Sequence, residues 1–196
     1  MSEGTGFTKL RDVVQSFGFP FETCGVASCS VGEVVEQLHL PPEFLDYYVA
    51  AGPAAETVVP WVVEELHLAS FDELLRMQIG YRWADLNGTA IPSWPTPLVV
   101  FGSVFDDPIM VDGSPTSSAV FFARHGEGGW NPTEIASSLA EVVSALTNFE
   151  QVLLGKYDLE VWDDNGLLDD FVNDVRDSLR QTLTVEQAAA FVEMMM

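Results

Sequence analysis

The stretch from residue 97 to residue 146 constrains the fold of this chain more than any other part. It reads PLVVFGSVFDDPIMVDGSPTSSAVFFARHGEGGWNPTEIASSLAEVVSAL. Runs of β-branched and aromatic residues between turn residues predict strands at 98–105, 109–111 and 119–123. Asn131, with Pro132 after it, predicts the cap of a helix whose apolar stripe runs from Ile135 to Leu146. The stretch therefore predicts short strands followed by a helix, and it contains no complete catalytic motif.

Helical patterns precede this region. The spacing of apolar residues predicts helices at 10–17, Val31–Leu38 and 42–52, a strand at 62–68 and a helix at 71–79. Ser70 and Glu73 have the spacing of a capping box at the start of the last of these helices. Residues 81–96 hold two Trp, two Pro and an Asn-Gly pair, which predict a loop.

Helical patterns also follow it. An apolar face at 168–179 predicts one helix, and the capping-box spacing of Thr184 and Gln187 predicts another. Helices, then strands, then helices predict an α+β fold. We therefore predict a domain at 1–149, with a core at about 30–149, and an acidic helical extension at 150–196 packed on the same domain.

The acidity of the chain limits its partners. The formal net charge is −22, with only eight Lys and Arg residues, whereas binding to phosphates needs clustered basic residues. Neither nucleic acid nor an anionic membrane is expected as a partner. A basic protein is compatible, since an acidic surface attracts cations; simple solubility, or a high-salt or acid-rich host, is the alternative explanation. No apolar run is long enough to span a bilayer and no leader pattern opens the chain, so a cytoplasmic protein is expected.

The residues that could carry chemistry form no complete set. Cys24 and Cys29 are too few for a disulfide framework and resemble no zinc site, so reduced structural thiols are expected and no metal or cofactor is predicted. His125 begins a glycine-rich loop and could lie near an acidic side chain, which is the arrangement of a general base. A loop histidine more often makes an ordinary hydrogen bond. A hydrolase that uses His125 is therefore the remote alternative, and no catalytic residue is assigned.

Several short motifs occur in a suggestive order. They are LPPEFL at 40–45 with the later Gly52, LHLASFDEL at 66–74, LVVFGS at 98–103, the segment from Pro108 to Asp112, and IASSL at 135–139 with Val142 and Val143 after it. Their order resembles the SUKH superfamily, which includes Smi/Knr-type regulators of fungal cell-wall synthesis and many bacterial immunity proteins. The resemblance covers roughly residues 30–149. Leu139 stands where Phe is common, a swap that preserves volume. Two departures matter: Val104–Asp107 stands where the family often has an acidic Gly-Asp feature, and residues 150–196 match no part of the family.

The resemblance implies a mostly antiparallel sheet with helices packed on it, and a non-enzymatic protein-binding module. The leading hypothesis is an immunity protein that neutralises a basic bacterial toxin domain, for example a nuclease; an intracellular regulatory scaffold of the Smi/Knr type is the second. A monomer or weak homodimer is expected. The predicted partner-binding residues are four acidic loop residues and one aromatic anchor: Asp106, Asp107, Asp112, Glu127 and Trp130. The acidic helix after residue 168 is the alternative surface.

Overall fold

A computed structural model describes residues 6–23, 31–63, 65–114, 116–126 and 129–196. Within these residues, six strands form one antiparallel sheet in which every strand pairs with the next one in the chain. The strands are β1 (Thr57–Pro60), β2 (Glu65–Leu68), β3 (Leu98–Val104), β4 (Asp107–Asp112), β5 (Val120–Phe122) and β6 (Thr133–Ala136). A separate two-stranded hairpin consists of β7 (Trp162–Asp163) and β8 (Gly166–Leu167).

The simple strand order separates the connections into two groups. Because neighbouring strands run in opposite directions, the β1–β2, β3–β4 and β5–β6 connections all lie at one end of the sheet, here called the upper end. The β2–β3 and β4–β5 connections lie at the opposite, lower end. The end of the sheet at which a candidate residue lies therefore decides which other candidate residues are close to it.

The helices cover one face of the sheet. They are α1 (Gly6–Ser16), α2 (Val31–Leu38), α3 (Pro42–Ala51), α4 (Leu74–Met77), α5 (Leu139–Leu153), α6 (Asp169–Leu179) and α7 (Val185–Met195). Helix α5 packs against both α1 and α6, and α7 packs on the edge strand β6. The main core receives fully buried aromatic side chains from the first helix to the last, including Phe7, Phe44, Phe149, Phe171 and Phe191.

The part of the β2–β3 connection that follows α4 covers the other face. Trp94, Val100 and Met110 form a second, smaller core there. All seven residues of β3 are buried as a result, which explains why this strand is a continuous apolar run rather than an alternating one. The buried Gln78 accepts from the N–H of Val100 at 3.1 Å and donates to its carbonyl at 2.8 Å, next to a register shift between Val100 and Gly102. Its amide thereby pairs backbone groups that the irregular strand leaves free.

The α+β fold is confirmed, but one predicted helix start is wrong. Thr133–Ala136 is the edge strand β6, and α5 begins only at Leu139. Ser138 is the true cap, because its hydroxyl accepts from the N–H of Glu141 at 3.2 Å while a Glu141 carboxylate oxygen accepts from the N–H of Ser137 at 2.8 Å. The Asn131-Pro132 pair precedes a strand instead, and Ile135 belongs to the sheet.

The predicted capping box at Ser70 is also wrong. Residues Phe71–Glu73 form a 3₁₀ turn, and the Ser70 side chain makes no capping bond. Glu73 pairs instead with Arg76 at 2.7 Å. The predicted strand at 62–68 is shorter, at Glu65–Leu68, and strand β1 before it was not predicted. The capping box of Thr184 and Gln187 is confirmed.

The C-terminal residues share the main core. Helix α5 runs through residue 149, so the boundary placed there falls inside a helix. Beyond it, α6 buries Phe171, Val175 and Leu179. None of the helices in the described parts of the chain is both long and apolar enough to cross a bilayer.

Candidate protein-binding surface

The β3–β4 turn places one acidic residue at the tip of the upper end. The turn consists of Phe105 and Asp106, which both have left-handed backbone angles, with φ of 55° and 62°. Two-residue hairpin turns of this kind match the twist of antiparallel strands. Phe105 packs against the core while Asp106 is exposed. The predicted turn at 106–108 is thus one residue late, since Asp107 and Pro108 already belong to β4.

Asp107, predicted as part of a partner-facing acidic group, is buried. Only 6% of its side chain is exposed. One carboxylate oxygen accepts from the backbone N–H of His125 at 2.7 Å and also contacts Nδ1 of the same histidine. The other oxygen lies 4.0 Å from Nη1 of Arg124. Asp107 therefore ties the start of the β5–β6 connection to β4.

Three aromatic side chains pack together on the face of the sheet that carries the smaller core. Trp94 and Trp130 have ring centroids 5.3 Å apart, and Tyr81 lies 6.0 and 5.9 Å from them. Trp94 is buried and its Nε1 donates to the Leu98 carbonyl at 2.8 Å, whereas Trp130 is half-buried. We call these three residues the aromatic cluster.

Tyr81 joins this cluster to the turn. Its hydroxyl donates to the carbonyl oxygen of Asp106 at 2.7 Å. Burial, followed by the negative charges of Asp106 and Asp107, raises the pKa of Tyr81 to about 12. The phenol therefore stays a neutral hydrogen-bond donor at physiological pH. Asp106 and Trp130, which are 24 positions apart in sequence, are held on one surface by this contact.

Asp112 lies elsewhere. It ends β4 at the lower end, about 17 Å from Asp107 at the usual rise of a strand. Its carboxylate accepts from the N–H of Ser114 at 2.8 Å and from the Ser114 hydroxyl at 2.7 Å. Partial burial opposes ionisation, but the hydrogen bonds from Ser114 and Ser117 outweigh it and lower the pKa of Asp112. Of the four predicted acidic residues, Asp106 and Asp107 lie at the upper end of the sheet and Asp112 lies at the lower end. Glu127 lies outside the described residues.

The geometry around His125 bears on the hydrolase alternative. Within the described residues, Asp107 is the one side chain hydrogen-bonded to His125. Acyl transfer by a histidine base needs a nucleophile within hydrogen-bond reach on its other side, and the described residues place none there. The contacts of His125 with Asp107 anchor the loop that begins at His125.

Two residues of this surface were missed from the sequence. Tyr81 sits in the long β2–β3 connection, and Arg124 follows β5. Neither belongs to a motif, because both act through contacts between distant parts of the chain. Cys24 and Cys29 lie outside the described residues.

Comparison of the chain with models of protein families, with curated proteins and with solved structures finds no match. The SUKH resemblance therefore remains a prediction.

Proposed function

We propose that this chain is a non-enzymatic binding protein that neutralises a basic bacterial toxin domain in the cytoplasm, as immunity proteins of the SUKH type do. The observation that supports this most is the exposed Asp106 at a hairpin tip, which Tyr81 joins to the half-buried Trp130 through a hydrogen bond on one side and a ring contact on the other. Tryptophan and tyrosine are enriched at binding hot spots, and a flanking charge selects partners of opposite sign.

The overall charge supports the same class of partner. A net charge of −22 favours encounter with a basic surface and disfavours encounter with an acidic one. A nuclease presents a basic cleft to phosphates, and an acidic protein that occupies this cleft blocks it. A monomer or weak homodimer is sufficient for this role.

The test is co-expression with the protein encoded by the adjacent reading frame. We expect that protein to be toxic alone, to be tolerated together with this chain, and to bind it with an affinity that falls as salt rises. Absence of toxicity together with absence of binding at low salt would overturn the immunity role. Endogenous partners and a cell-envelope phenotype on deletion would instead identify a regulatory scaffold.

A further inference from the structure

The β7–β8 hairpin exposes a tryptophan. Trp162 is 51% exposed. Its Nε1 donates to the carbonyl oxygen of Val62 at 3.2 Å, in the β1–β2 connection. This bond fixes the direction of the indole while leaving much of its surface in water. An oriented aromatic side chain loses little conformational entropy on binding, which favours it as an interface anchor.

Other apolar side chains are exposed around this tryptophan. Val63, which follows the residue that accepts from the indole, is 55% exposed, and Leu159, three residues before Trp162, is 44% exposed. An open cleft of about 440 Å³ borders the hairpin and is lined by Tyr157, Leu167 and Leu168 together with carboxylates. Clustered apolar exposure with a polar rim is typical of an interaction site.

The rim is acidic and its charges are not neutralised within the described chain. Six exposed carboxylates surround the hairpin: Asp158, Glu160, Asp163, Asp164, Asp169 and Asp170. The ion pairs of this region involve other groups, since Lys156 pairs with Asp174 and Arg180 with Asp177. A partner with Lys or Arg side chains would therefore find carboxylates without an ion-pair partner here, although one oxygen of Asp163 accepts from the N–H of Asn165 at 2.7 Å.

The hairpin lies at the same end of the sheet as the acidic turn. Val62 is in the β1–β2 connection, and this connection and the β3–β4 turn both belong to the upper end. Equivalent connections two strands apart are separated by about 10 Å. The indole of Trp162, anchored on Val62, is thus within the span of one protein interface that also covers Asp106.

We propose that Trp162, Val63, Leu159 and the six carboxylates form a docking surface, here called the hairpin surface, for a basic protein segment that also carries an apolar side chain. The inference rests on the proposed function and deepens it: the partner covers the upper end from Asp106 in the β3–β4 turn to the hairpin surface. Trp162 supplies the apolar anchor, and the carboxylates receive the Lys and Arg side chains on either side of it.

The probe is a phage-displayed library of random 12-residue peptides, selected against the whole chain. We expect the selected peptides to combine Lys or Arg with an aromatic or aliphatic residue. Binding of the synthesised peptides, followed by fluorescence polarisation, should weaken at least about tenfold in Trp162→Ala, as for an interface hot spot. The double variant Asp163→Lys with Asp164→Lys should weaken it as well and reduce its dependence on salt.

Two control variants make the same types of change outside the hairpin surface, so they test whether the location of the change matters. Leu86→Ala removes another exposed apolar side chain, 80% exposed, and Asp46→Lys reverses an exposed charge on α3. Both should bind the peptides as the wild type does, and thermal unfolding shows whether each variant is folded. Selected peptides that bind Trp162→Ala and the double variant as tightly as wild type overturn the inference.

The outcomes separate this inference from the proposed function. Peptides that lose binding in Asp106→Lys but not in the hairpin variants place the partner on the acidic turn alone, so the inference fails and the proposed function stands. A wild-type chain that selects no peptides with Lys or Arg contradicts the inference. If it also fails to bind or neutralise the adjacent gene's protein, the proposed function fails too.

Discussion

Arg124 donates a hydrogen bond from Nη2 to the carbonyl oxygen of Glu193 at 2.7 Å. Glu193 lies in the last turn of α7, where carbonyls carry partial negative charge, and among the described residues its carbonyl otherwise accepts only a long bond, at 3.4 Å, from the N–H of Met196. The same guanidinium stands 4.0 Å from the carboxylate of Asp107, which holds His125. The C-terminal helix is thus connected through one side chain to the upper end of the sheet.

Arg124→Ala should loosen this connection. With one charge-assisted hydrogen bond lost and the side chain 45% exposed, we expect a loss of about 1 kcal/mol in the free energy of unfolding. Urea unfolding measures the loss, and amide exchange should be faster in the last turn of α7. Arg180→Ala, which removes an exposed ion pair, is the matched control and should cost less than about 0.5 kcal/mol. Equal effects of the two variants would argue against a specific role for Arg124.

Asp107→Ala should destabilise the protein more than Asp107→Asn. Alanine removes the acceptor of the His125 N–H, and because His125 is an exposed residue the expected cost is about 1 kcal/mol, whereas an asparagine oxygen still accepts that bond. The midpoint of urea unfolding should therefore fall in the order wild type, Asn, Ala. Asp106→Asn changes the neighbouring but exposed residue and should stay within about 0.5 kcal/mol of wild type. A midpoint for Asp107→Ala equal to that of wild type would contradict the anchoring role.

Asp106→Asn and Asp112→Asn should differ in binding. Both remove one negative charge and keep the local turn, but Asp106 lies at the upper end of the sheet and Asp112 at the lower end. Association with the adjacent gene's toxin domain should slow about two- to fivefold in Asp106→Asn at low ionic strength and stay unchanged in Asp112→Asn. Stopped-flow association rates measure this, and equal slowing in both variants would show that overall charge, rather than the acidic turn, steers the encounter.

Glu150 should make stability depend on pH. This residue of α5 is fully buried, and neither carboxylate oxygen has a hydrogen-bond partner within the described residues. Burial raises the pKa of Glu150 well above its usual range. Between the unfolded pKa of about 4.3 and the raised folded pKa, the unfolded state has released a proton that the folded state still holds. Stability contributed by the protonated group is therefore lost as pH rises through this window.

Glu150→Leu should remove the loss of stability that accompanies rising pH, and it should stabilise the fold at neutral pH by about 1–3 kcal/mol. Chemical unfolding between pH 5 and pH 8 should show a shallower decline for the variant than for the wild type. Glu186→Gln, at an exposed position in the first turn of α7, is the control and should keep the wild-type slope. Parallel curves for wild type and Glu150→Leu would show that Glu150 ionises freely in the folded state.

Local sequence patterns predicted the centre of the sheet well. Strand β3 is buried on both faces, so an uninterrupted apolar run marks it, and Gly102 marks the irregular pairing beside it. Strand β6 was missed because Asn131-Pro132 imitates a helix cap and only two residues of the strand, Ile135 and Ala136, are buried. Ser138 with Glu141 is an equally good cap, and only the pairing of Phe122 with Thr133 decides between the two.

The candidate surface was predictable only in part. Asp106 was found because turn residues are recognisable locally, whereas the burial of Asp107 depends on His125 arriving from the end of β5. The contact between Tyr81 and Asp106 joins positions 25 residues apart. The grouping of Asp112 with Asp106 was wrong because six residues of extended strand separate opposite ends of a sheet.

The packing of α1 against α5 has a consequence during synthesis of the chain. The six strands pair only with their neighbours in sequence, so each hairpin of the sheet can close as soon as it leaves the ribosome. Helix α1 is made before the sheet, but its partner α5 begins only at Leu139. At ordinary translation rates the apolar residues Phe7, Leu10 and Val14 wait roughly 6–24 s for that partner. Phe7 can meet Tyr47 and Tyr48 of α3 earlier, but the face of α1 that packs against α5 stays uncovered until α5 is made, and a nascent chain stalled before α5 would present this face to chaperones.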